Sequence, residues 1–404
     1  MMQRQHRRQT KKKRSKTQKS PGIRAGRFFV TIETRMTKPK PPMKPSEKFT
    51  VSSGTRKVRQ IWKKYSTPKN LIISGAVVLV VAIVSVTLAL RYRPADPQVV
   101  IPAVLASSDP AIRHPLTGVI LPSSLTPPQV FGVMIENSAD AWPLSGVDQA
   151  FLVIEAPVEG NIPRFIAFFS DDQVVEKIGP VRSARPYYLD WNDEFGGIYA
   201  HVGGSPEALE LIRDQGTFDL DQFFQSEYFY RDEQTRYAPH NVYTTTEDLK
   251  DSVEEIREKY DIVDDPSYES WLFQEGVAND VDVENIHIDW PSTSLYNVDW
   301  LYDPATNTYV RKQGGGTYTA NNVVVMATDM AVLDAVGRKE VRTIGTGEAR
   351  VYRNGEIGET VGSWKKDSRT DRLRFYDGDG NEVTMNAGAT WIEVVDSLDR
   401  LSVR

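Results

Sequence analysis

The chain has 404 residues, a net charge of −5 and no cysteine, which excludes disulfides, thiolate metal sites and a lipid-modified cysteine. Residues 1–69 carry 22 Lys+Arg against Glu33 and Glu47, a balance of +20; the remainder holds 27 basic and 52 acidic residues, a balance of −25. An asymmetry of that size means that the two parts meet different environments, and nucleic acid is not expected as a partner of the folded, acidic part.

Residues 1–69 are rich in Lys, Arg, Pro, Ser and Thr, with KKKRSK at 11–16 and KPKPPMKP at 38–45. Such a composition buries too little apolar surface to offset the entropy of ordering, so it reads as a disordered basic tail. Its charge suits anionic head groups or nucleic acid, and its plainer role is to set orientation at a membrane. Within 70–91 lies LIISGAVVLVVAIVSVTLAL, opening at Leu71, closing at Leu90 and free of charge. At ~1.5 Å per residue this run crosses a hydrocarbon core of ~30 Å, so a single transmembrane helix is expected. It is too long for the core of a cleavable signal peptide. Lys63, Lys64 and Lys69 precede it, opposed weakly by Arg91 and Arg93. The positive-inside rule puts the N-terminus in the cytoplasm and residues 94–404 on the outer side of the cell membrane. Residues 92–111 read as an extracytoplasmic tether.

Two folded domains are expected, 112–262 and 285–398. VFGVMIE (130–136), AFLVIEA (150–156), RFIAFFS (164–170) and IYAHV (198–202) are short apolar, branched runs and read as buried strands. SPEALELIRDQG follows a glycine pair and has every mark of a helix: Ser205 as cap, Pro206 next, Glu207 in the first turn and Gly216 as the stop. Leu249, Val253 and Ile256 at helical spacing predict a second helix over 246–260. Beyond Asp261 the pattern turns β-rich, with hairpin signals at Gly314, Asn354-Gly355 and Asp379-Gly380. The class expected is α+β, with its helices in the first half.

HPLTG (114–118), VMIEN (133–137), VIEAPVEGNIPRF (153–165), GPVRSARPYYLD (179–190), IYAHVGGSPEAL (198–209) and YAPHNVYTT (237–245) are long phrases. Together they resemble the YerB-like family of bacterial envelope lipoproteins. WLYDPATNTYVR, NNVVVM, IGTGEARV, GSWKKDSRT and GATWIEVV are similar to the family's C-terminal domain. The resemblance spans roughly 112–404. It implies a layered α/β sandwich followed by a smaller β-rich part, and it brings no established catalytic residue. In this chain the transmembrane run stands where the family has its lipidated cysteine.

Three clusters could carry chemistry. Arg182, Ser183 and Arg185 lie in GPVRSARP, where two prolines suggest a rigid turn, and arginine forks suit phosphate or carboxylate. The plainer reading pairs them with carboxylates such as Glu155 or Glu159. His201, Gly203, Gly204 and Ser205 stand between a strand end and a helix start, a place where backbone N–H groups attract anions and a histidine can serve as acid or base. The plainer reading is a tight turn with a buried histidine. His240 and Asn241 form a loop pair beside Arg231 and Arg236.

Glu136, Glu155, Glu159 and Asp190 are possible acids or bases. No metal-ligand spacing, P-loop, nucleophile elbow or dinucleotide fingerprint is present, so no metal is expected and no cofactor is evident. DGDGNE (377–382) reads as a hairpin turn rather than a calcium loop.

These residues support two functions. The first is a membrane-anchored extracytoplasmic protein that binds an anionic envelope ligand or a partner protein. The second is an enzyme, loosely similar in the order of its elements to the LytR-CpsA-Psr phosphotransferases, which act on lipid-pyrophosphate-linked polymers. The enzyme needs Arg182, Arg185 and His201 to converge on one pocket.

Overall fold

In the structure, a computed structural model describing residues 111–123, 125–278, 284–356 and 362–404, the apolar runs become strands. The tail, the anchor expected between Leu71 and Leu90 and most of the tether lie outside those residues. Among the described residues no helix is long and apolar enough to cross a membrane. β1 (Val130–Glu136), β2 (Leu152–Pro157) and β3 (Pro163–Ser170) are buried at every position. A strand with both faces covered shows a continuous apolar run rather than an alternation, which is why these three are legible in the sequence.

α1 (Pro186–Asp193), β4 (Ile198–His201), α2 (Pro206–Gln215) and β5 (Phe218–Asp221) come next along the chain. Ser205 caps α2 by accepting from the Ala208 N–H at 3.2 Å, and Gly216 leaves it in the left-handed conformation at φ 72°. β6 (Tyr230–Arg231) pairs with β7 (Val242–Tyr243). The single helix expected over 246–260 is instead two, α3 (Thr246–Asp251) and α4 (Val253–Lys259), joined at Ser252. The Ser252 hydroxyl donates to the Leu249 carbonyl at 2.7 Å, the local bond by which serine competes with a helix ladder.

The later elements are almost all strands. β8 (Phe273–Gln274) precedes β9 (Asn285–Ile288), β10 (Val298–Asp303), β11 (Thr308–Gln313), β12 (Gly316–Ala320) and β13 (Asn322–Ala327). β14 (Met330–Val332), β15 (Lys339–Val341), β16 (Gly345–Tyr352), β17 (Gly362–Lys366) and β18 (Arg374–Tyr376) come next. β19 (Met385–Asn386), β20 (Thr390–Val395) and β21 (Leu401–Val403) end the chain. The fold is mostly β-sheet with few helices.

Ten strands form one mixed sheet in the order β18-β17-β16-β13-β20-β2-β3-β1-β4-β5. β2 and β20 pair in parallel, so the early and late strands share a ladder: Glu155 stands beside Glu393, and Ile154 beside Ile392. α1 and α2 cover one face, where Tyr188, Trp191 and Ile212 pack with Met134, Ile154 and Ile392. The five-stranded sheet β12-β11-β10-β9-β21, together with α3 and α4, covers the other. There Trp300 meets Trp391 edge to face, with ring centroids 5.3 Å apart.

Candidate functional site

β1, β2, β4, β5, β13 and β20 all run the same way, linked by the parallel pairings β1–β4, β4–β5, β2–β20 and β13–β20 and by the antiparallel partner shared by β1 and β2. Their carboxyl ends define one edge of the sheet, the edge at which open α/β sheets bind ligands. Glu136 closes β1, His201 closes β4 and Asp221 closes β5; Arg164, near the start of the antiparallel β3, comes to the same edge.

The arginine segment lies between two strand ends. The Arg182 N–H donates to Met134 and its carbonyl accepts from Val202, at 2.8 and 3.1 Å. Arg182 Nε lies 3.4 Å from Glu136 Oε2, an ion pair without hydrogen-bond geometry, so this buried N–H has no hydrogen-bond partner. The other end of the guanidinium donates to the Pro239 carbonyl at 3.4 Å. His240 Nδ1 shares the same carboxylate oxygen at 2.9 Å, while Ser138 donates to the second oxygen at 2.7 Å. Asn241 accepts from Arg231 at 2.9 Å, and Arg231 reaches Gln222 at 3.3 Å. Arg182 and His240 thus meet at Glu136, and Asn241, next in the chain to His240, continues this rim to Arg231.

Aromatic side chains near these residues in the chain are exposed. Phe224 is 80% exposed and Tyr237 89%. Phe223, also exposed, lies over Gly203, where a side-chain Cβ would come within 2.8 Å of its ring. That contact and a φ of 56° explain the glycine.

The other sequence candidates go elsewhere. Arg185 caps the start of α1 and grips Glu159 with two bonds of 2.7 Å. Burial favours the neutral Glu159 carboxyl, but the bonds and charge of Arg185 outweigh it and hold the group below its ordinary value. Ser183 contributes its carbonyl, which accepts from the buried Arg164 at 2.8 Å. Burial, helped by the charge of Arg185, pushes Arg164 down to about 10.

His201 is fully buried, its ring nitrogens engaged by the Gly203 carbonyl and by Asp219, each at 2.8 Å. The backbone N–H of Gly203 is taken by Asp221 at 2.8 Å, Ser205 is occupied as a cap, and Gly204 bridges to Ala184. The glycine turn is thus a closed internal structure, not an open anion cradle. The convergence of Arg182, Arg185 and His201 on one pocket, which the phosphotransferase expectation requires, is not formed.

Glu155 proves the opposite of a surface acid. It is wholly buried beside Glu393, and Arg311 from β11 reaches over both. Burial pushes the Glu155 carboxyl well above its ordinary range; Arg311 opposes this and the neighbouring Glu393 adds to it. Asp190 is tied to Thr343, and burial raises it too. Among the described residues no group of three or more His, Asp or Glu side chains is arranged to hold a metal ion.

The exposed phenyl rings of the rim have no signal in the sequence, because exposure of a phenylalanine in DQFFQ cannot be read from its neighbours.

Comparison with known proteins gives a consistent result. The N-terminal domain of a family described as "Protein of unknown function (DUF3048)" matches residues 116–259, and its C-terminal domain matches 286–392. A relative from Bacillus subtilis (strain 168), "Putative lipoprotein YerB", is 30% identical over 308 residues, which cover 72% of this chain and 88% of that protein. A crystal structure of the YerB protein from Bacillus subtilis is similar with a TM-score of 0.63 at 27% identity, covering 72% of this chain and 99% of that one.

Proposed function

This chain belongs to the YerB-like family, and from that premise we propose that it is a membrane-anchored extracytoplasmic protein whose folded part binds an anionic envelope ligand or an acidic segment of a partner protein. The anchor is the uncharged run from Leu71 to Leu90, with the basic tail in the cytoplasm. The lipoprotein name of the Bacillus relative supports the same side of the membrane.

One observation carries the binding role. At the Glu136 rim a single carboxylate serves both Arg182 and His240, so donors outnumber acceptors and Arg182 Nε is left unbonded. The buried Nε is out of reach, but the partly exposed outer edge of the guanidinium is open to an incoming oxyanion. The exposed rings of Phe223, Phe224 and Tyr237 offer flat apolar faces beside that charge, a combination suited to a polymer carrying both rings and anionic groups.

The test is a thermal-shift screen of the full-length protein in detergent against pyrophosphate, lipid-linked phosphates and cell-wall fragments. At least one anion raises the melting temperature of wild type and fails to raise that of Arg182→Ala. Indifference of wild type to every anion would refute the oxyanion site. For the topology, protease added to intact cells removes residues 94–404 and spares the tail; protection of the folded part would reverse the orientation.

A further inference from the structure

The strand order diverges at the boundary between β2 and β20. From β2 the sheet continues through β3 and β1 to β5, and from β20 it continues through β13 and β16 to β18. The two strands are parallel and end on the same edge; the chain turns from β2 directly into β3 and leaves β20 for β21 in the five-stranded sheet, so the two connections part and a crevice opens between them. This crevice lies apart from the Arg182 rim.

A cavity of about 190 Å³ occupies that crevice. Pro157, the last residue of β2, and Val394 and Val395, the last of β20, form its floor. Trp290 forms part of its wall; this residue is only 4% exposed, and its buried indole N–H has no hydrogen-bond partner. That N–H has almost no accessible surface, so the cavity meets the indole ring rather than its donor.

The donor is Lys339, on the β14–β15 hairpin, whose ammonium makes no hydrogen bond or ion pair of 4 Å or less with a described residue. Asp396, also in the wall, is committed to Arg400 by bonds of 2.8 and 3.1 Å. Partial burial lowers the Lys339 ammonium from its ordinary value, against the attraction of Asp396.

Two pinned elements enclose the space. The hairpin turn at Gly337 comes within 3.4 Å of the Gly160 N–H, measured from where its Cβ would be, so it rests on the 159–161 loop. Glu159 of that loop is the residue held by Arg185, and Asn161, in the left-handed conformation at φ 59°, lines the cavity. The arginine motif thus positions a wall of this cavity without touching whatever fills it.

We propose that this cavity binds a small organic carboxylate, with Lys339 as its donor and the Trp290 ring and the proline and valine surfaces around its apolar body. A single cation with Asp396 nearby suits a monoanion better than a phosphate dianion, which favours clustered arginines. The volume lies below the ~300–1,000 Å³ of drug-sized sites, so the ligand is small. The larger cleft of about 460 Å³ on the other side of Lys339 carries Asp190, Glu207 and Glu340 and is a poor place for an anion.

The test labels the full-length protein in detergent with 5-fluorotryptophan, assigns the Trp290 resonance by Trp290→Phe, and titrates cyclohexanecarboxylate and N-acetylalaninate. At least one produces a saturable shift of the Trp290 resonance. Its affinity falls about tenfold or more for the matching neutral carboxamide and in Lys339→Gln, and is largely kept in Lys339→Arg. Lys339 lies on a partly exposed hairpin, so its replacement leaves the fold intact, which the unchanged resonances of the other tryptophans verify. No shift with either carboxylate at ~10 mM overturns the proposal. Equal binding of the carboxamide, or of Lys339→Gln, overturns it as well.

Discussion

Two arginines in this protein each pair with glutamate on the ten-stranded sheet, and their surroundings give them opposite roles. Arg311 lies between Glu155 and Glu393 beneath the five-stranded sheet, with the rings of Trp391 and Phe165 4.8 and 5.4 Å from its guanidinium. Arg182 lies beside Glu136 at the sheet edge, shares that carboxylate with His240 and keeps a fraction of its side chain in solvent. The ingredients match. The core cluster is closed off by Asn137, which donates to Glu155 at 2.9 Å, and by Trp142, which donates to Asn137 at 2.8 Å. The rim has no such cover. Carboxylate–arginine proximity in a sequence therefore says nothing about function until burial is known.

The comparison breaks most visibly at Arg311. Arg311→Met strands two buried carboxyls without their cation and should cost about 3–5 kcal/mol in urea unfolding. A loss below ~1 kcal/mol would mean that water reaches the cluster and that it is not closed. Next in size is Arg185, whose paired bonds to the half-buried Glu159 predict a loss of about 1.5–3 kcal/mol for Arg185→Ala. Arg185→Lys should recover little of it, since an ammonium cannot grip both oxygens; full recovery would leave only charge at work.

The pH dependence of the core cluster comes from the direction of the Glu155 shift. The folded protein holds a proton that the unfolded chain sheds above ~4.3, so this group's stabilisation is complete below that pH and is lost as pH rises toward the folded value. Glu155→Gln keeps the neutral form at every pH. Its stability relative to wild type should therefore climb above pH ~4.3, with a slope approaching ~1.4 kcal/mol per unit at most. A flat difference between pH ~4 and ~8 would show that Glu155 is not the proton holder. The smallest effect belongs to Arg182→Ala, expected within ~1 kcal/mol of wild type because its ion pair is long and partly solvated.

Much of the frame is readable in the sequence because it depends on local signals. β1 coincides with the run VFGVMIE, and α2 begins and ends at the cap and glycine that mark it. α1 is hidden. PYYLDWND buries Tyr187, Tyr188, Leu189, Trp191, Asn192 and Asp193 around most of its circumference, so it has no amphipathic stripe, and the prolines suggest a turn. The candidate site is legible only in part. Arg182, His240 and Asn241 meet at one rim, but Glu136 lies 104 residues from His240, and nothing local announces the pairing. Arg185 and His201 look equally reactive in the sequence and are both absorbed into structure. Lys339 and Trp290 belong to no motif, and only the sheet order brings them together.

The measurement that bears most directly on the difference between the closed and the open cluster is a pyrophosphate titration of full-length wild type, Arg182→Ala and Glu155→Gln, read as melting temperature at low salt. Wild type and Glu155→Gln should be stabilised alike and saturably, while Arg182→Ala stays flat. An Arg182→Ala protein that responds as wild type does, or a wild type that does not respond at all, would contradict the assignment of the Glu136 rim as the open site.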